Sequence, residues 1–344
     1  MNFDRHFKRV LVTGGSGFIG GTLVKRLIRD TNVKVFNIDK ISDSRNLDIQ
    51  NKSFDFNRYQ FLRIDLSNSE DTKSGIKQID PDIVFHLAAE SHVDRSITAP
   101  RIFLESNVVG TFNLLEGILP HWQSLSSIRK DSFRVIHIST DEVFGSLDSN
   151  GRFSESSRYN PRSPYSATKA ASDHLVKSWF HTYGLPSIIT NSSNNFGPWQ
   201  FPEKLIPVII LNAISNKSIP IYGDGKHIRD WIYVEDHIDA LLKVALRGKV
   251  GESYCIGGCQ EKNNDEIVEL ICELLDVYNK SNAPHNRFKI YVKDRLGHDR
   301  RYAIDSTKIR KEVKWFPKYS FPEAISSTVK WYLRNIDWCN KFNK

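Results

Sequence analysis

Apolar residues in this chain fall in short unbroken runs, separated by stretches whose apolar positions recur at helical spacing. Residues 9–13 (RVLVT) form the first run and predict a buried strand. Residues 14–20 are rich in glycine, and residues 22–29 have the three-and-four spacing of a helix face. Further runs predict strands over 33–38 (VKVFNI), 59–64, 83–87, 133–138 (FRVIHI) and 187–190, with helices over 107–119 and 163–183. Strands that are apolar along their whole length and alternate with helices belong to a parallel sheet covered on both faces. The expected fold class is therefore α/β, a Rossmann-type doubly wound parallel sheet.

After Asn191 the texture changes. Turn-rich pieces such as Asn194-Asn195-Phe196-Gly197-Pro198 and Tyr222-Gly223-Asp224-Gly225 interrupt short strands and helices. A smaller C-terminal α/β lobe is expected over 192–344. Residues 232–246, and more broadly about 228–250, are expected to return to the first domain, residues 1–191. The polar stretches 43–58 and 279–287 read as loops.

Composition narrows the class. The chain has 344 residues, more than one compact core would hold, with 40% hydrophobic and 26% charged residues. No apolar run of about 18 residues occurs, so no membrane span is expected. Met1 to Arg9 is polar and lacks the apolar segment of a signal peptide, so a cytoplasmic location is expected. Cys255, Cys259, Cys272 and Cys339 have neither Cys-x-x-Cys spacing nor a paired His motif, and they read as free thiols with no metal. The net charge of +8 is spread without a basic run. That favours an anionic small molecule over nucleic acid.

Chemistry enters with the glycines. Gly14, Gly17 and Gly20 lie between a predicted strand and helix, where backbone N–H groups and a helix N-terminus suit a pyrophosphate. Phe18 and Ile19 complete the turn. Asp39, 19 residues beyond Gly20, suits adenosine ribose hydroxyls and would repel a 2′-phosphate, so NAD is expected rather than NADP, with Lys40 beside it. Asp65-Leu66 follows the third strand, where adenine would lie. Leu87, Ala88 and Ala89 follow the fourth, small enough for close backbone approach.

Two further patterns point to catalysis. Tyr165 and Lys169 are four apart on a predicted helix and share a face; an ammonium beside a phenol favours phenolate, which accepts the proton of an alcohol under oxidation. Asp141 and Glu142 follow Ser139 and Thr140 at the end of the fifth strand. Hydride transfer alone needs no carboxylate pair. Eliminating water next to a carbonyl needs one carboxylate as base and one as acid.

These residues sit in longer motifs: TGGSGFIG from Thr13, HLAAESHVDRS from His86, STDEVFG from Ser139, YSATK from Tyr165, SSNNFGPWQFPEKLIP from Ser192, IPIYGDGKHIRDWIYVEDH from Ile219 and DRLGHDRRYAID from Asp294. Across almost its whole length the chain resembles the nucleotide-sugar 4,6-dehydratases of the extended short-chain dehydrogenase/reductase group. The resemblance implies dTDP-glucose as substrate, with uridine instead of thymidine left open, and a homodimer formed through helices near 107–119 and 166–182. It implies that Thr140 binds the hexose, Asp141 protonates the C6 hydroxyl, Glu142 removes the C5 proton, and Tyr165 with Lys169 handles C4. Ser91 and Asn194 would touch the sugar, and Ser106 and Asn195 the cofactor side. Lys204, Leu205, Pro220, Ile221 and Tyr222 would line the nucleotide, and Arg229, Asn264, Arg295 and His298 the diphosphate and base end. Guanidinium forks suit phosphate oxygens. Phe144 and Phe196 replace the family's usual Tyr, Asn191 stands where Arg is common, and residues 42–45 (SDSR) replace its usual Thr-Tyr-Ala-Gly.

A nucleotide-sugar 4-epimerase or decarboxylase would use the same Tyr and Lys, but neither requires the carboxylate pair. A catalytically silent NAD-binding sensor would not need Thr140, Tyr165 and Lys169 together.

Overall fold

A computed structural model describes residues 3–41 and 55–341. The SDSR segment at 42–45, and with it most of the stretch read as a loop over 43–58, lies outside the described residues. The main sheet has seven parallel strands: β1 (Arg9–Thr13), β2 (Lys34–Asp39), β3 (Tyr59–Arg63), β4 (Ile83–His86), β5 (Arg134–Thr140), β6 (Ser187–Ser192) and, after several shorter strands, β10 (Ser253–Ile256). Their order is β10-β6-β5-β4-β1-β2-β3. The chain winds outward in both directions from β1 and β4, the arrangement that opens a crevice at the strands' carboxyl ends. This is the doubly wound α/β fold expected from the apolar runs.

The seventh strand was not among the expected ones. Its four residues, SYCI, are too short to stand out, yet they pair in register with β6, from Ser253 with Ile189 to Ile256 with Ser192. The fifth strand runs two residues past the expected end. Ser139 and Thr140 pair with Asn191 and Ser192 of β6, so the sheet itself carries the chain to the edge of Asp141.

Both faces of the sheet are packed. Val10, Val12, Val35, Phe85 and Ile136 face a core with Leu23, Val24 and Leu27 of the helix Phe18–Asp30 and with Ile238 and Leu241 of Val234–Arg247. Leu11, Phe36, Ile38, Val84 and Val135 face the other core, with Ile76 of Ser69–Ile79, Leu114, Leu115 and Ile118 of Gly110–Ser124 and Val176 of Pro164–Tyr183. Val234–Arg247 thus packs on the main sheet although it lies late in the chain. A separate core gathers Phe196, Ile209, Ile221, Trp231, Ile271, Ile325 and Tyr332. Around it lie a three-stranded sheet of β7 (Asn194–Phe196), β9 (Ile228–Tyr233) and β11 (Glu261–Asn263) and a pair of β8 (Ile219–Tyr222) with β12 (Lys289–Val292).

The helix expected over 107–119 starts differently. Leu104–Val109 forms a π-type turn, and a regular helix follows over Gly110–Ser124. Within that turn the Asn107 amide donates to the Glu90 carbonyl (3.1 Å) and the Thr168 hydroxyl (3.0 Å) and accepts from the Glu90 N–H (2.8 Å). A single side chain thereby ties the turn to two other segments. By length and composition Pro100–Ser124 could cross a membrane, but half of it is buried in this fold.

Phe144 and Phe196 keep their rings in aromatic contacts, Phe144 against Phe153 and Tyr159, Phe196 against Trp231, Tyr233 and Phe321. The four cysteines carry no disulfide, and three are buried while Cys259 is half-buried.

Candidate active site

A cavity of about 900 Å³ follows the carboxyl ends of the sheet strands. It is bordered by every residue expected on the cofactor side: Gly14, Gly17, Phe18, Ile19, Gly20, Asp39, Lys40, Asp65, Leu66, Leu87, Ala88, Ala89, Ser106, Tyr165, Lys169 and Asn195. Thr140, Asp141, Glu142, Ser91, Asn194 and Lys204 border the same cavity. Leu205, Pro220, Ile221, Tyr222, Arg229, Asn264, Arg295 and His298 do not. Ile221 is buried in the C-terminal core, so its side chain is committed to packing.

The glycine turn fits a dinucleotide on its geometry. Gly14 adopts φ 75°, and a Cβ there would lie 2.6 Å from the Ala88 backbone nitrogen. Strand β1 therefore ends against the segment after β4 with no room for a side chain. The helix Phe18–Asp30 begins at Gly17 with no side-chain cap and no acidic residue in its first turn. Its first N–H groups are left for an anion, unlike those of the helix Asn264–Tyr278, which a full capping box satisfies. Phe18, Ile19 and Gly20, expected in the loop, form the first helical turn instead. At the end of β2, Asp39 accepts from the N–H groups of Ser16 (3.1 Å) and Ile41 (3.0 Å), which holds its carboxylate at the cavity wall. Lys40 pairs with Glu90 at 2.9 Å.

The helix Pro164–Tyr183 presents Tyr165 and Lys169. Its start is specified locally: Ser163 accepts from the Ser166 N–H, the Ser166 side chain closes the capping box, and Pro164 occupies the first turn. Lys169 Nζ donates to the Ile138 carbonyl of β5 at 2.8 Å. Burial pushes its pKa down to about 8 against the opposing pull of Asp173. Burial, then the charges of Glu142 and Asp141, push the Tyr165 hydroxyl up, while a hydrogen bond with Thr140 opposes them.

The two carboxylates after β5 have unequal surroundings. Asp141 is 2% exposed; its Oδ1 accepts from the Thr140 hydroxyl at 3.3 Å, and its Oδ2 is buried without a partner. Burial, then the charges of Glu142 and Asp230, raise its pKa well above the carboxylate range. Glu142 is half-buried, and burial raises it too, but Arg295, Arg229 and Lys204 pull it back. Asp141 is thus the group held protonated and Glu142 the one held nearer its charged form. Thr140 also accepts from the Glu142 N–H (3.3 Å), fixing the turn that separates the two.

Arg229 and Arg295 therefore reach the site electrically from outside its lining. Arg229 is buried over the Tyr302 ring at 4.3 Å and donates to the carbonyls of Ile228 and Asp299. Next to them His227 and His298 stack at 3.7 Å, both against Asp294, at 3.2 Å and 2.6 Å. The three could ligate a cation, but Arg229, Arg295 and Arg300 surround them, a field that favours an anion.

Several cavity residues lie inside the quoted motifs but had no role assigned from the sequence: Ser16, Ser139, Arg95, and the Gln200–Glu203 segment between β7 and the helix Leu205–Ile214. Asp230, buried behind Asp141 with its own pKa raised to about 6 by burial, was visible only as part of the RDWIY run. A larger cleft of about 1260 Å³ touches His298, Arg162 and Arg300 but none of the glycine turn, Tyr165, Lys169 or the strand-end carboxylates.

Comparison with known proteins agrees with this fold. A family model described as GDP-mannose 4,6 dehydratase matches residues 11–328. The dTDP-glucose 4,6-dehydratase of Salmonella typhimurium is 50% identical over 341 residues, covering 96% of this chain and 94% of that protein. The crystal structure of the Bacillus anthracis dTDP-glucose 4,6-dehydratase in complex with NAD superposes with a TM-score of 0.83 at 40% identity, covering 97% of this chain and 99% of that one. A UDP-glucose 4-epimerase from Thermotoga maritima, solved with UDP-glucose, reaches 0.82 at 26% identity over 95% and 99%. The fold is thus shared by dehydratases and epimerases, and the identities lean to the dehydratases. The chain belongs to the family that the GDP-mannose 4,6-dehydratase model describes, alongside the dTDP-glucose 4,6-dehydratases.

Proposed function

We propose that this protein is an NAD-dependent hydro-lyase that converts dTDP-glucose to the 4-keto-6-deoxy nucleotide sugar. The observation that carries the reading is the unequal carboxylate pair at the end of β5, in one cavity with Tyr165, Lys169 and the glycine turn. An epimerase has no use for an acid and a base at that place.

The dinucleotide, when bound, supplies a reversible store for the hydride that leaves C4 and returns to C6. Tyr165 takes the C4 hydroxyl proton, and Lys169, one turn away on the same helix, is the cation that would offset the burial and the Glu142 and Asp141 charges that oppose its phenolate. The C4 ketone acidifies the C5 proton, which Glu142 removes. Asp141, kept protonated by its dry surroundings, gives its proton to the departing C6 hydroxyl, and water leaves. Thr140 holds the hexose between them. Ser91, Asn194 and Lys204 contact the sugar and nucleotide, while Leu205, Pro220, Tyr222, Arg229, Asn264, Arg295 and His298 form the nucleotide end, the Ile221 side chain being taken up by the core. Since the sequence of steps has no net redox change, the cofactor stays bound through turnover.

The same reading divides the chain into a cofactor part, residues 1–191 with about 228–250, and a substrate part, the remainder of 192–344. It also takes the protein to be a cytoplasmic homodimer. The free cysteines fit a reducing compartment. Val109 and Phe112 are exposed apolar side chains on the first of the two helical stretches expected to pair, with exposed Ile102 and Leu104 just before it and Tyr183 just after the second. A one-chain mass by light scattering would remove the dimer.

The function is tested by incubating the purified protein with dTDP-glucose and with UDP-glucose, without added NAD. Loss of one water, faster from the thymidine nucleotide, is expected. An unchanged mass with glucose turned to galactose would favour the epimerase, and no reaction even after NAD is supplied would reject the reading.

A further inference from the structure

Lys169 and Asp173 lie one turn apart on Pro164–Tyr183, both buried and both aimed at β5. While Lys169 donates to the Ile138 carbonyl (2.8 Å), the Asp173 carboxylate accepts from His137 Nε2 (3.0 Å) and the Ser139 hydroxyl (2.8 Å). A carboxylate only accepts, so His137 carries its proton on Nε2. Three consecutive strand residues, 137 to 139, are held by one cation and one carboxylate immediately before Thr140, Asp141 and Glu142. Asp173 also accepts from the Tyr159 hydroxyl (2.8 Å) and the Asn191 amide (3.4 Å).

A buried charge is poor evidence for stability, since apolar replacements often serve as well. A fully buried carboxylate with four donors therefore calls for another reason. We propose that Asp173 is a positioning residue for the reaction: it is the internal counter-charge that keeps Lys169 cationic, and it fixes the end of β5 against Tyr165. This rests on the dehydratase reading above.

The other titratable groups around the pair cannot take that part. His86 of β4 and His137 of β5 are held neutral, both chiefly by burial. Tyr159 and Cys255 of β10 are held protonated, both by burial first. Glu142 and Asp141, at the turn after β5, raise Tyr165, as Asp173 itself does to a smaller extent. Asp173 stays ionised despite burial, because His137, Lys169 and Tyr159 stabilise its charge. It is the group that opposes the desolvation of Lys169.

The test compares Asp173→Asn with wild type over pH, following turnover of dTDP-glucose alongside bound NAD and the circular-dichroism melt. Losing the counter-charge lets Lys169 shed its proton earlier, so the alkaline limb of kcat should move down by about 1–3 pH units. Maximal kcat should fall at least roughly tenfold with KM nearly unchanged, and Asp173→Glu, which keeps the charge, should restore the limb. A folded, NAD-loaded Asp173→Asn whose pH profile overlays wild type would overturn the proposal. If Asp173→Asn does not fold, Tyr159→Phe decides. It removes one donor from the carboxylate while its ring keeps its packing on Phe144, so kcat should fall several-fold at unchanged KM, and wild-type kcat would overturn the clamp. A wild-type enzyme that never turns over dTDP-glucose would instead count against the dehydratase reading itself.

Discussion

Asp141 and Glu142 are adjacent in the chain but face different surroundings. Asp141 has a buried oxygen with no partner and two carboxylates nearby, whereas Glu142 has Arg229, Arg295 and Lys204. A Glu142→Gln exchange keeps the size and removes the base, so substrate binding should persist while turnover falls by roughly 10²–10⁴. Steady-state kinetics checks this, and near-wild-type kcat would take Glu142 out of the base role. The pair itself was legible in the sequence, as two acids after an apolar run. Their inequality was not, because it is made by residues 62 to 153 positions away that only the fold brings close. Asp173 was hidden in the same way: its spacing from Lys169 was visible, but its four donors come from β5, β6 and a loop.

Elements were easier to read where a local rule sufficed. The start of Pro164–Tyr183 is written in Ser163, Pro164 and Ser166, and the structure realises that capping box. Ser163→Ala should cost about 0.5–2 kcal/mol, read as a lower denaturant midpoint with an unchanged slope. An unchanged midpoint would mean that packing alone holds the helix that delivers Tyr165. The buried strands β1, β2, β4, β5 and β6 were legible because both of their faces are covered. Strand β3, half-buried at the sheet edge, still stood out as an apolar run over 59–64. Four-residue β10 and the π-type turn at Leu104–Val109 depend on partners distant in sequence, β6 for one and Glu90 with Thr168 for the other. No local pattern announces either.

At the scale of the molecule, the order β10-β6-β5-β4-β1-β2-β3 puts the reversal of winding between β1 and β4, and the cavity opens at their carboxyl ends. The glycine turn comes from one side of that reversal and the carboxylate pair, with Tyr165 and Lys169, from the other. Late segments add Asn194, Asn195 and Lys204 to the wall, with Arg229 and Arg295 behind it. The net charge of +8 suits a diphosphate at that place. Such an enclosed arrangement makes one claim above the others: the hydride taken from C4 is returned to C6 of the same sugar. The direct test mixes dTDP-glucose deuterated at C4 with an equal amount of undeuterated, uniformly carbon-13-labelled substrate and reads product masses and the deuterium position. Loss of water with deuterium retained at C6, only in the carbon-12 product, is expected. Deuterium lost to solvent, or found in the carbon-13 product, would contradict it.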